Sequence, residues 1–332
     1  MVDDSENMPH RLYVVTLDKS LIEIFDLHDQ TKIGEINVPA RPHEIIMDPH
    51  HKHLAYVSIP YREGVYNNHM GDGHEIVTID LNENKIKSIY DLRPNHSKPH
   101  GMQIGPMTGY LYVSCESNNG EILRMDTHNE LEIMSSIPTH AQGPHWFVIL
   151  PLETKAYTAN KELQYISVLD LKSNKFLYEI SAPFGSENIV CSNDGQFVYL
   201  STLSTSTDMA IVDTETDTIL YHINLDFPPS GFIISPINPS LIYIRHMNVG
   251  YENGFYSTDN GYLQELNLET KQLGRRLRTG KNPIDIIITK NGKQAYVSCG
   301  MSHRIDIINL DSMTISGHIA TSPSPHGIML VD

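Results

Sequence analysis

The chain has 332 residues, 40% hydrophobic and 19% charged, with 40 acidic against 24 basic side chains and a formal net charge of -16 at pH 7. That much apolar material builds a substantial core and excludes a largely disordered chain. The acidic balance, with no Lys/Arg-rich run, removes the counterion-release term on which nucleic-acid binding depends and argues against an anionic membrane surface.

The N-terminus, MVDDSENMPH, is polar and acidic, with neither a basic nor an apolar targeting segment, and nowhere is there an apolar run of about 18 residues. The expectation is a cytoplasmic protein whose residues 1–10 are flexible. From there a Tyr recurs in a β-like run seven times: Tyr13 in LYVVT, Tyr56 in AYVSI, Tyr112 in LYVSC, Tyr157 in AYTAN, Tyr199 in VYLST, Tyr243 in IYIRH and Tyr296 in AYVSC. The spacing, 42 to 56 residues, is that of propeller blades. A second alternating run follows each Tyr and ends in Asp26, Asp80, Asp126, Asp170, Asp213, Asn267 or Asn309. A third apolar run precedes each Tyr after the first, as in RPHEIIM, KPHGMQI, GPHWFVI and NPIDIII, and tight-turn sequences such as SNDGQ and TKNGK separate the two. With the run after the Asp or Asn turn, each unit reads as four antiparallel strands.

The first Tyr unit lacks its preceding strand, whereas the last residues, SPHGIMLVD, form such a strand with no unit after it. The C-terminal strand is therefore expected to pair into the N-terminal blade. The prediction is an all-β, seven-bladed β-propeller that forms one domain over residues 1–332, with no free sheet edge left at the join. Cys115, Cys191 and Cys299 lie in strand-like runs at no metal-binding spacing and are expected to be reduced thiols.

The Tyr-Val-Ser strands, the Asp-Leu or Asn-Leu turns and the Pro-containing strand entries resemble the YVTN-type, lactonase-like seven-bladed propellers over nearly the whole chain. The resemblance implies the fold; related propellers serve as enzymes, binding proteins and scaffolds.

Residues at the start of the innermost strands form a repeat column: His326, His43, His100, His145, Glu187, Ser230 and Ile284. Four imidazoles and a carboxylate in five consecutive blades suggest a site for a divalent transition metal (Fe, Mn, Zn or Cu) or Mg, with His43, His100, His145 and His326 as ligands. Glu187 is then a fifth ligand, an orienting partner or a general acid/base. Residues on the same face suit a small polar substrate: Arg62, Lys161 and Arg245 at the ends of second strands, His74 and His246 in the long connections, and Ser230 in the column, with His69 a further candidate. Trp146 follows His145 and is expected to face the core. The run DPHHKH, Asp48 to His53, falls in a hairpin on the opposite face and reads as a solvated turn.

Three functions remain open. Lewis-acid lyase or lactone/ester hydrolase chemistry is the first, by analogy with virginiamycin-type lyases and lactonase-like propellers. The second is iron-dependent oxygen chemistry, because four histidines in a propeller are similar to the site of carotenoid oxygenases. The third is a non-catalytic binding platform whose histidines are structural.

Overall fold

A computed structural model describes residues 10–64, 70–117, 119–161, 163–183, 185–202, 206–247, 249–252, 255–258 and 260–331. Thirty strands are described: β1 Arg11–Thr16, β2 Leu21–Asp26, β3 Thr31–Asn37, β4 Ile45–Met47, β5 Leu54–Glu63, β6 Met70–Asp80, β7 Lys85–Asp91, β8 Pro99–Ile104, β9 Leu111–Cys115, β10 Glu121–Asp126, β11 Glu132–Pro138, β12 Pro144–Ile149, β13 Lys155–Asn160, β14 Tyr165–Asp170 and β15 Lys175–Ser181. The series continues with β16 Ser186–Cys191, β17 Phe197–Thr202, β18 Asp208–Asp213, β19 Thr218–Asn224, β20 Pro229–Ile234, β21 Leu241–His246, β22 Val249–Glu252, β23 Phe255–Thr258, β24 Asn260–Asn267, β25 Gln272–Lys281, β26 Pro283–Ile288, β27 Gln294–Cys299, β28 Arg304–Asn309, β29 Thr314–Ala320 and β30 Pro325–Val331. They make seven four-stranded antiparallel sheets and one two-stranded ribbon, β22–β23, giving a seven-bladed β-propeller. Among the described residues no helix is long and apolar enough to cross a membrane.

By their contacts the blades fall into two units. One, His43–Pro229, holds the blades β4–β7, β8–β11, β12–β15 and β16–β19. The other, Met1–Pro42 with Ser230–Asp332, holds β20-β21-β24-β25, β26–β29 and the closing blade β30-β1-β2-β3. In that blade β30 pairs antiparallel with β1, Leu12 opposite Leu330, as the unpaired C-terminal run requires. His10, the last residue of the segment expected to be flexible, is tied down: its N–H donates to the Val331 carbonyl at 3.0 Å, and residues 1–9 lie outside the described residues.

The repeated residues have definable tasks. All seven Tyr side chains are buried, and Tyr157, for example, fills the core between two neighbouring blades among Val148, Val168, Val198 and Leu200. A ring this size stabilises by about 1.5–3 kcal/mol through burial alone. Buried hydroxyls need partners, and Tyr56 donates to Asp48 at 2.9 Å. The Asp or Asn after the third strand caps its turn: Asp26 accepts the N–H of His28 and Asp29, and Asp170 those of Lys172 and Ser173.

The innermost strands begin irregularly. Lys98, Gly143, Gly185, Asn282 and Ser324 have positive φ and immediately precede Pro99, Pro144, Ser186, Pro283 and Pro325. Pairing then slips between Pro99 and Met102, between Pro144 and Trp146, and between Ser186 and Ile189. Each slip is a β-bulge, and the histidine column sits in it. The Ser of the Tyr-Val-Ser strand satisfies the displaced backbone: Ser114 Oγ accepts the Gly101 N–H at 2.9 Å, Ser201 Oγ that of Asn188 at 2.8 Å and Ser298 Oγ that of Asp285 at 2.9 Å.

Candidate metal centre

The bulges re-aim His100 and His145 away from strict strand alternation, and His43, two residues before β4, joins them in the four-blade unit. The His43 and His100 rings are 4.6 Å apart between centroids, and His100 and His145 are 3.9 Å apart. All three are buried. Gly101 permits this approach: a Cβ there would lie 2.9 Å from the His145 carbonyl oxygen and 3.2 Å from the Trp146 ring. That is the physical demand behind the Gly of Pro-His-Gly. Ser114 joins the two bulges, because its hydroxyl accepts from Gly101 and donates to the His145 carbonyl at 3.2 Å. Trp146 packs against the core of its own and the next blade, as expected.

A residue that the sequence reading passes over completes the cluster. Glu116, one residue beyond β9, pairs with His145 Nδ1 at 2.8 Å through Oε1 and accepts from the Tyr61 hydroxyl at 2.6 Å through Oε2. Both carboxylate and Tyr61 are buried. His145 Nε2 lies 3.4 Å from Glu187 Oε1, which also accepts from Lys161 Nζ at 3.0 Å. The line Tyr61, Glu116, His145, Glu187, Lys161 thus alternates donors and acceptors. His100, Glu116 and His145 each place one ligand atom within 4.8 Å of the others' and could hold a metal ion.

Burial works against every charge here, and the partners decide the outcome. For Glu116, burial raises the pKa, but the charge on His100 and the bonds from His145 and Tyr61 outweigh it and bring the carboxyl down to about 2. Glu187 is likewise opposed by burial, yet the Lys161 ammonium and His145 hold it well below the usual carboxylate range. For His145, burial and Lys161 lower the pKa, and Glu187 with Glu116 more than reverse this, so the imidazole is raised above its ordinary value. Ionised Glu116 can only accept, which puts a proton on His145 Nδ1.

The other expected site residues are placed as follows. Arg62 is bonded to Glu75, and His74 Nδ1 to the His96 carbonyl at 3.1 Å. Ser230, Arg245, His246 and His326 belong to the three-blade unit. There Ser230 Oγ donates to the Arg245 carbonyl at 3.2 Å, and Arg245 Nη1 donates to the Pro283 carbonyl at 3.3 Å. Arg245 also opposes buried Asp285, whose pKa burial nevertheless keeps raised. His246 is buried and His326 half-buried. His69 lies outside the described residues. The three cysteines are free thiols, Cys115 and Cys299 buried and Cys191 half-buried.

No protein-family model matches the chain, and no curated protein matches it in sequence. Solved structures do. A functionally unknown protein from Desulfotomaculum acetoxidans DSM 771 superposes with a TM-score of 0.75 at 12% identity, covering 97% of this chain and 99% of that one. Hydrazine synthase of Kuenenia stuttgartiensis gives 0.70 at 16% identity, covering 86% and 88%. The dihydro-heme d1 dehydrogenase NirN gives 0.63 at 12% identity, covering 96% of this chain and 75% of that one. At these identities the likeness shows the fold alone.

Proposed function

We propose that the protein is a metal-dependent enzyme that holds a divalent transition metal on His100, His145 and Glu116, with His43 as a further ligand, and acts on a small polar molecule by Lewis-acid lyase or lactone/ester hydrolase chemistry. The observation that carries this reading is the convergence of the three buried ligand atoms within 4.8 Å. Two imidazoles and a carboxylate suit Zn, Fe, Mn or Cu better than Mg, which takes oxygen ligands. Two imidazolium rings at 3.9 Å would repel by about 4 kcal/mol at an effective dielectric near 20, a cost that one shared cation relieves. An ion there would stand where His145 and Glu116 now share a proton. His326, the fourth ligand on the sequence reading, belongs to the other unit and is not required by this donor set.

Bound there, such an ion would polarise a carbonyl oxygen or activate water near neutral pH. The chain's own groups supply the rest. Tyr61 fixes the Glu116 carboxylate, and Glu187 faces the far nitrogen of the His145 ring, Nε2. Glu187 is an anion at neutral pH, so it fits a proton acceptor and orienting group for His145 rather than a general acid. A role for Arg62 in holding a substrate carboxylate requires exchange of its present partner, Glu75.

Two other outcomes have specific support. Two histidines with a carboxylate also suit ferrous iron, so iron in the purified protein turns the reading to oxygen chemistry. Glu116 and His145 already find partners inside the protein, which is what a purely structural network requires. The test is metal analysis of untagged protein beside the His100→Ala/His145→Ala variant, with turnover of a lactone, ester and elimination-substrate panel before and after chelation. The expected result is chelator-sensitive turnover and a near-stoichiometric equivalent of metal, with that equivalent and the turnover both lost in a folded variant. Metal-free protein that takes up none of Zn, Fe, Mn or Cu would overturn the reading in favour of the structural network.

A further inference from the structure

On the four-blade unit, away from this centre, the hairpin between β4 and β5 carries His50, His51 and His53, and the hairpin between β10 and β11 carries His128. The first turn requires only Asp48, whose buried carboxylate accepts the N–H of His50 at 2.8 Å and of His51 at 2.9 Å together with the Tyr56 hydroxyl. Histidines are not part of that requirement: the corresponding turns GPMTG, PLETK, SNDGQ and TKNGK have none. Yet the rings meet across the two blades. His51 lies 4.8 Å from His128 and 6.5 Å from His53, centroid to centroid.

Second carboxylates orient two of the rings. His51 Nδ1 is 3.0 Å from Asp48 Oδ2. Asp48 carries more hydrogen-bond donors than a neutral carboxyl would take, so it accepts the His51 Nδ1 proton and leaves the Nε2 lone pair outward. His128 Nδ1 faces Asp126 Oδ1 at 3.4 Å. Thr127 Oγ1 is at the same distance from His128 Nδ1, and a carboxylate beside one ring nitrogen is common in metal-binding histidines. We propose that His51 and His128, joined by His53, form a second, surface site for a borderline transition metal ion, Zn or Cu by class, that ties the two blades together. Closing it takes only side-chain rotation, because His53 and His128 are exposed and need give up no buried packing. His128 also lines a cleft of about 600 Å³ with Lys87, Tyr90 and Asn129, which leaves space for water or an exchangeable ligand on the ion. The net charge of -16 favours cation capture.

The experiment is calorimetric titration of the untagged, chelator-stripped full chain with Zn, and electron paramagnetic resonance with Cu, on wild type, His51→Gln/His128→Gln and His100→Ala/His145→Ala. The surface double variant is expected to lose one equivalent, or at least tenfold in the affinity of that equivalent, together with the nitrogen hyperfine signal that belongs to it. The same equivalent should persist in His100→Ala/His145→Ala, which separates this proposal from the buried centre. Unchanged stoichiometry, affinity and spectrum in His51→Gln/His128→Gln would overturn it.

Discussion

Glu116→Gln isolates the residue on which the buried cluster turns. The carboxylate is 6% exposed and accepts two charge-assisted bonds, at 2.6 Å from Tyr61 and paired with His145 at 2.8 Å. The amide keeps the shape but loses the charge and turns one donor towards a donor. Breaking a buried, hydrogen-bonded charge pair in this way costs about 3 kcal/mol. With unfolding entropy near 2.1 cal/mol/K per residue, or about 0.7 kcal/mol/K for the chain, the melting temperature should fall by roughly 4 °C in metal-free protein. The pH dependence has a definite sign. Glu116 is depressed to about 2 from an ordinary 4.5, so its stabilisation is complete above 4.5 and is lost as pH falls towards 2. His145 is raised above 6.5, so its stabilisation is complete below 6.5 and is lost as pH rises through the folded value. The gap between wild type and variant should therefore be widest between 4.5 and 6.5. Calorimetric scans across that range test this; a variant that melts within about 1 °C of wild type throughout would refute the reasoning.

Other predictions follow from the same geometry. Ser114→Ala removes the hydroxyl that spans the His100 and His145 bulges, so metal affinity should drop about tenfold with a stability loss of only about 1 kcal/mol, read by competition with a chromophoric chelator. Lys161→Met removes a cation that lowers the His145 pKa, so the proton competes better and half-loading with metal should move to higher pH; a shift the other way would contradict the assigned contact. Gly101→Ala forces a methyl against the His145 carbonyl and should cost both metal binding and stability, whereas exposed Met107→Ala on the same blade should be silent in the same assays. Deleting Pro325–Val331 exposes the free edge of β1, and aggregation of the truncated chain in light scattering is the expected result.

The Tyr column was legible because each blade buries the same ring at the same place, and the Asp/Asn column because each turn needs the same side-chain acceptor. Pairing of SPHGIML with the first blade followed from an unmatched strand at each end of the chain. The histidine column was legible as a repeat aimed at one site, but the bulges that set the spacing of its rings were not: a bulge adds one residue to one strand, and an alternating pattern does not reveal an extra residue. Glu116 was missed for a related reason. It stands four residues after Tyr112, the position that Lys161 holds after Tyr157, so a column taken at that offset contains both the lysine and the carboxylate. A Glu directly after a buried strand, YVSCE, is the signal that could have found it. Arg62 and His74 show the converse: the sequence reading put His74 in a long connection, whereas the two residues lie in β5 and β6, and Glu75 and the His96 carbonyl, which engage them, come from elsewhere in the chain.

The most direct test of the central claim is a crystal structure of protein grown without chelator, with diffraction recorded above and below the absorption edges of Zn, Cu, Fe and Mn. The account predicts one anomalous peak bounded by His100, His145 and Glu116, with the direct Glu116 to His145 bond replaced. Clear density for those three side chains, with Glu116 still bonded to His145 and no anomalous peak between them after soaking in each metal, would contradict it.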